Sequence, residues 1–121
     1  MNHGRPLAIV RAGETEGASQ AAALFTGGEH AIVALKALAQ PSRMEIFRMV
    51  HAASPKGLGA RVIAARVGGP HSVVSMHLAV LSRARLLVGQ RQDDLVIYRT
   101  NPHAMKALLR YMVRPAPNMY S

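Results

Sequence analysis

From Glu29 apolar positions recur every three or four residues, give way to β-rich runs near residue 87, and regain helical spacing near residue 102. The first clear stretch is HAIVALKALA, where Ile32, Leu35, Leu38 and Ala39 fall at helical intervals ahead of Pro41. It predicts a short amphipathic helix. In PSRMEIFRMVHAA, Ser42 and Glu45 have the spacing of a capping box, and Ile46, Phe47 and Val50 share a side. A second helix is expected there. After the turn SPKG, Leu58 to Val67 predicts a third helix with Val62, Ile63 and Val67 apolar, stopped by Gly68-Gly69. Pro70 then opens a fourth helix over 70–84, in which Val74, Leu78 and Leu81 form one face and Ser72, Ser75, Met76 and Ala79 the other.

Two helices joined by so short a turn read as a helix-turn-helix. LVGQRQ and LVIYRT, on either side of Asp93-Asp94, then predict a β-hairpin with a polar tip. A last helix follows over Pro102 to Met112, with Met105, Leu108, Leu109 and Met112 apolar. The expected architecture is mainly α with a small β-hairpin wing, in the order α-α-α-α-β-β-α. That is the order of a winged helix-turn-helix. Residues 1–28, rich in Gly and Ala, read as a flexible arm in which only Ser19 to Phe25 suggests a short helix. The domain boundaries expected are therefore the arm at 1–28, a winged helix-turn-helix DNA-binding and dimerisation domain at 29–113, and a C-terminal tail at 114–121.

Charge adds a partner to this outline. Lys and Arg number 15 against 6 Asp and Glu, for a net charge of +9, and nothing acidic falls between Glu45 and Asp93. That gap holds Arg48, Lys56, Arg61, Arg66, Arg83, Arg85 and Arg91, so the middle of the chain is the electrostatic footprint expected for a polyanion. The chain has no cysteine, which excludes disulfides, thiolate metal sites and a thiol nucleophile. No stretch is long and apolar enough to span a bilayer, and MNHGRPLAIVRAGETEG is too broken for a secretory signal, so a cytoplasmic protein with no membrane partner is expected. No paired carboxylates, nucleophile with a positioned base, or phosphate loop stands out. An enzyme is not expected.

Specific segments carry a family resemblance. ALKALAQPSRMEIFRMV resembles the Leu-x-x-Leu-Ala-x-Pro-Ser/Thr-Arg-x-x-Ile segment of the ArsR/SmtB family of small bacterial transcriptional repressors. VVSMHLAVLSRARLL resembles its recognition segment, and VIYRTNP its second wing strand. The match runs from about Ala31 to Tyr111 as one ordered set. It implies a repressor of double-stranded DNA, working as a homodimer.

On that resemblance, Ser72, Ser75 and His77 are expected to contact DNA, with His71 at the helix start and Met76 facing the bases. Small polar side chains let a recognition helix approach base edges closely. His77 lies at the edge of the apolar face, which leaves open both a phosphate contact and a packed histidine. Asp93 and Asp94 stand where the family usually has Gly and basic residues, so the tip should be held off phosphates while Arg91 and Arg99 make the backbone contacts. Lys56 and Arg43 are further candidates, with Arg61 and Arg66 behind them. Ile32, Leu35, Leu38, Leu108, Leu109 and Met112 are expected at the dimer interface.

The family's effector sites are not matched. Gly59 and Arg61 stand near the positions where metal-sensing relatives carry cysteines, and Arg114 and Pro117 replace the later ligands of a site that Asn101 and His103 would begin. No two histidines are three or four residues apart on a helix. No metal or cofactor is expected, and any inducer is unidentified. The alternative reading is a module that keeps the winged fold but reads charge and shape rather than sequence.

Overall fold

The computed structural model describes residues 28–115. The expected arm, including Ser19 to Phe25, and the tail lie outside these residues apart from Gly28, Arg114 and Pro115. Helix α1 spans Glu29–Leu38 and α2 spans Pro41–Ala52. Next come β1, Leu58–Gly59, then α3, Ala60–Val67, and α4, His71–Arg83. The hairpin strands are β2, Leu87–Gln92, and β3, Leu95–Thr100, and α5 spans Pro102–Val113. This is the expected winged helix-turn-helix with one strand added.

The added strand corrects the reading of Leu58. It does not start a helix; it pairs antiparallel with β3, Leu58 opposite Tyr98 and Gly59 opposite Ile97, in a sheet of order β1-β3-β2. Entry to β1 depends on Gly57, at φ +82°, where a Cβ would collide with the Tyr98 carbonyl oxygen. The backbones can close only without a side chain there. Burial also pushes the Tyr98 phenol above its ordinary pKa, so it stays neutral while its ring packs under the sheet.

The cap of α2 is a second correction. Pro41 occupies the first helical position and Gln40, not Ser42, is the N-cap, its Oε1 accepting from the Arg43 N–H at 2.9 Å. No capping box forms, because the helix begins two residues earlier than the Ser42–Glu45 spacing requires. Between α3 and α4, Gly68 and Gly69 both have positive φ, so the turn of the helix-turn-helix needs glycine for its backbone alone.

The core gathers Ile46 and Val50 of α2, Ile63 of α3, Val74, Leu78 and Leu81 of α4, and Leu86 and Leu87 at the wing root. Helix α1 meets it through Ala31, Ala34 and Ala37, whose short side chains bring its backbone close. Helix α5, capped by the Asn101 side chain, adds Ala104 and Leu108. No described helix is long and apolar enough to cross a membrane.

Candidate nucleic-acid interface

Helix α4 is anchored by its inner face and presents its outer one. Val74, Leu78 and Leu81 are buried, whereas His71, Ser72, Ser75 and Met76 are exposed, Met76 at 52%. The exposed stretch has no acidic residue. Its exit is fixed by a Schellman motif: Leu86 N–H donates to the Leu81 carbonyl, Arg85 N–H donates to that of Ser82, and Arg85 sits at φ +67° where glycine is usual. That bend turns the chain directly into β2.

Three expected contact residues are held by hydrogen bonds within the protein. His77 is only 6% exposed and faces inward, its Nδ1 lying 3.4 Å from Nη1 of Arg43. Arg43 also donates from Nε to the Ala37 carbonyl at 2.6 Å, which ties α1, α2 and α4 together. The packed reading of His77 is therefore the one the structure adopts. Arg99 turns toward the wing root, donating from Nε to the Pro55 carbonyl at 3.2 Å and from Nη1 to Gln90 Oε1 at 3.3 Å. Its first task is to hold the hairpin against the turn before β1.

The hairpin with its polar tip forms as expected. Gln92 and Leu95 pair across a tip of two residues, Asp93 at φ +55° and Asp94, both exposed, with Arg91 exposed one step down β2. Asp suits that backbone better than most residues, because its short polar side chain tolerates the left-handed region. Lys56 is exposed in the turn before β1. It stands apart from the α4 face in sequence but shares its positive sign.

The expected dimer residues divide into two sets. Ile32, Leu109 and Met112 are exposed, at 49%, 58% and 55%, and Val33 and Val113, which the sequence reading did not single out, are exposed beside them on the same two helices. Leu108 is instead core, at 5%, and Leu35 and Leu38 are half-buried against the core. On α5 the burial stripe runs through Ala104 and Leu108, so Leu109, one residue on, points about 100° away. Helices α1 and α5 contact each other, whereas Val33 turns from them to line a groove toward α4.

Between α1 and α4 a groove of about 280 Å³ is lined by Lys36, Arg43 and Arg83 over apolar residues that include Val80 and Ala84. Lys36 and Arg83 were not among the expected contacts. The signal for Arg83 was its distance from Ser72, eleven residues, or about three turns of 3.6.

Helices in this order, with a two-residue hairpin tip and a third strand bracing the wing, define a winged helix-turn-helix protein. Residues 38–90 match the family described as a helix-turn-helix domain. The solved structure of HlyU from Vibrio cholerae is 25% identical, covering 74% of this chain and 98% of that one with a TM-score of 0.58. A transcriptional regulator HlyU from Vibrio vulnificus is similar at 24% identity, covering 84% and 98% with a TM-score of 0.53. NolR from Sinorhizobium fredii covers 88% and 98% at 24% identity and a TM-score of 0.52. No curated protein matches the chain. The chain thus carries a helix-turn-helix domain over residues 38–90 within a winged-helix fold.

Proposed function

We propose that this protein is a DNA-binding transcriptional regulator, a homodimeric repressor of the ArsR/SmtB type that reads an inverted repeat by inserting α4, the helix within residues 70–84, into the major groove. The observation that carries this reading is the acid-free, exposed face formed by His71, Ser72, Ser75 and Met76 on a helix anchored from behind. Serine hydroxyls can bond base edges or phosphates, and the Met76 thioether side chain suits apolar contact with thymine methyls. Lys56 and Arg91 supply backbone contacts that carry no sequence information but set the register. Arg99, bound to Pro55 and Gln90, acts by aiming the wing.

The dimer is supported by the exposed apolar groups Ile32, Leu109 and Met112, which a water-facing surface would not favour as a group. A two-fold axis through α1 and α5 would set the two α4 helices about 34 Å apart, one turn of DNA. Residues 29–113 act as the binding and dimerisation unit, with 1–28 as an arm and 114–121 as a tail, in the cytoplasm. No cofactor enters the reading, and the effector is left unnamed.

A second reading, binding by charge and shape alone, is favoured by one observation: the exposed Asp93-Asp94 tip, which phosphates would repel. Selection of duplexes from a random pool at physiological salt, with a chelator present, separates the two. Enrichment of an inverted repeat with half-sites one turn apart is the expected result. Binding without enrichment would establish the second reading instead.

A further inference from the structure

The cationic groove between α1 and α4 has a built centre. Arg43 is held at two points, by the Ala37 carbonyl and by His77. Because a guanidinium can only donate, His77 Nδ1 is the acceptor of that pair, and three of the five Arg43 N–H groups remain for another partner. Lys36 and Arg83 line the same groove, and no acidic residue is among its described lining. Three like charges brought to one cavity repel one another unless an anion joins them. The groove is made for one.

Position decides which anion. Ser72, Met76 and Arg83 are spaced four and seven residues apart, so they form one stripe along α4. The groove therefore continues the DNA-facing side of the helix past its C-terminal end. We propose that it clamps a phosphate of the DNA backbone there, with Arg43 as the fixed donor, Lys36 and Arg83 closing around the phosphate, and His77 as the positioning residue behind Arg43. This inference rests on the DNA-binding reading above. It also gives the buried histidine of the recognition helix a role that needs no contact with DNA.

The test is the salt dependence of duplex binding by the full chain and by Lys36→Gln with Arg83→Gln, two exposed positions whose replacement leaves the core untouched. Affinity should fall about tenfold at fixed salt, equally on the selected duplex and on an unrelated one, and the slope of log affinity against log salt should flatten by about 1. His77→Gln, which keeps an acceptor, should bind nearly as well as the parent, whereas His77→Leu should flatten the slope while keeping its helical circular dichroism. An unchanged slope in the double variant overturns the clamp while leaving the DNA reading intact. If the parent protein binds no duplex, both fall. An unchanged slope together with a benzoate-induced rise in melting temperature, present in the parent and lost in the double variant, would assign the groove to a small organic anion and overturn the phosphate clamp.

Discussion

Two surfaces are left open once the core has formed, and they differ in what they offer. The outer face of α4 shows hydroxyls, an imidazole, one thioether side chain and, further along, a guanidinium. The exposed apolar groups of α1 and α5 include Ile32, Leu109, Met112 and Val113, the last 81% exposed. Both belong to amphipathic helices whose opposite sides build the same core. The difference lies in desolvation: burying the second surface against protein releases water from hydrocarbon, about 25 cal/mol per Å². The first is suited to a partner that supplies acceptors and phosphates. On the proposed reading, one small domain separates self-association from DNA reading by placing them on different helices.

Breaking the apolar side should have the largest effect. Leu109→Glu places a carboxylate next to its own copy across the two-fold, and loss of the dimer should lower affinity for the selected repeat by on the order of 100-fold, about 3 kcal/mol. Sedimentation would show a monomer. A variant that stays dimeric with unchanged affinity would remove this face from the interface.

On the polar side, Met76→Arg replaces a partner for thymine methyls with a bidentate donor for guanine, shifting base preference at one position of each half-site by about 1–3 kcal/mol. Repeating the duplex selection reads this directly, and an unchanged motif would mean that Met76 does not face a base. A smaller change is expected from Asp93→Asn with Asp94→Asn, which should tighten binding about threefold to tenfold at low salt and little at high salt. Asparagine keeps the turn, since it too tolerates positive φ. A fall in affinity would mean that the tip touches something other than phosphate.

The smallest effect belongs to neither surface. Arg85→Gly relieves the left-handed residue at the end of α4 and should stabilise the fold by about 0.5–1 kcal/mol, read as a rise in melting temperature of a few degrees. Oligomeric state and selected sequence should not change.

Much of this arrangement was legible before any coordinates. The hairpin could be read because two β-rich runs flank a polar pair, and α4 because Pro70 opens it and Val74, Leu78 and Leu81 repeat along it. Strand β1 could not, since two residues carry no period and Leu58–Gly59 is a strand only because β3 lies beside it. Gln40 was passed over as a cap in favour of the more usual serine, although Pro41 at the first helical position was the better marker. Leu108 and Leu109 are equivalent as letters, and only the path of α5 over the core tells them apart. His77 sat on the boundary of its helical wheel, and the approach of Arg43 from α2 decided its side.

The short strand β1 also turns the wing into a lever. About three residues of hairpin beyond the β1 pairing extend about 10 Å at roughly 3.3 Å per residue, so a tilt of about 12° there would carry the tip about 2 Å. Displacements of that size decide whether a hydrogen bond to DNA exists. The two backbone pairings of β1, the side-chain bond from Arg99 to Pro55, and the glycine that lets the chains meet are the fulcrum of that lever. Anything that loosens them would be felt at full amplitude at the tip, beside the phosphate contact proposed for Arg91.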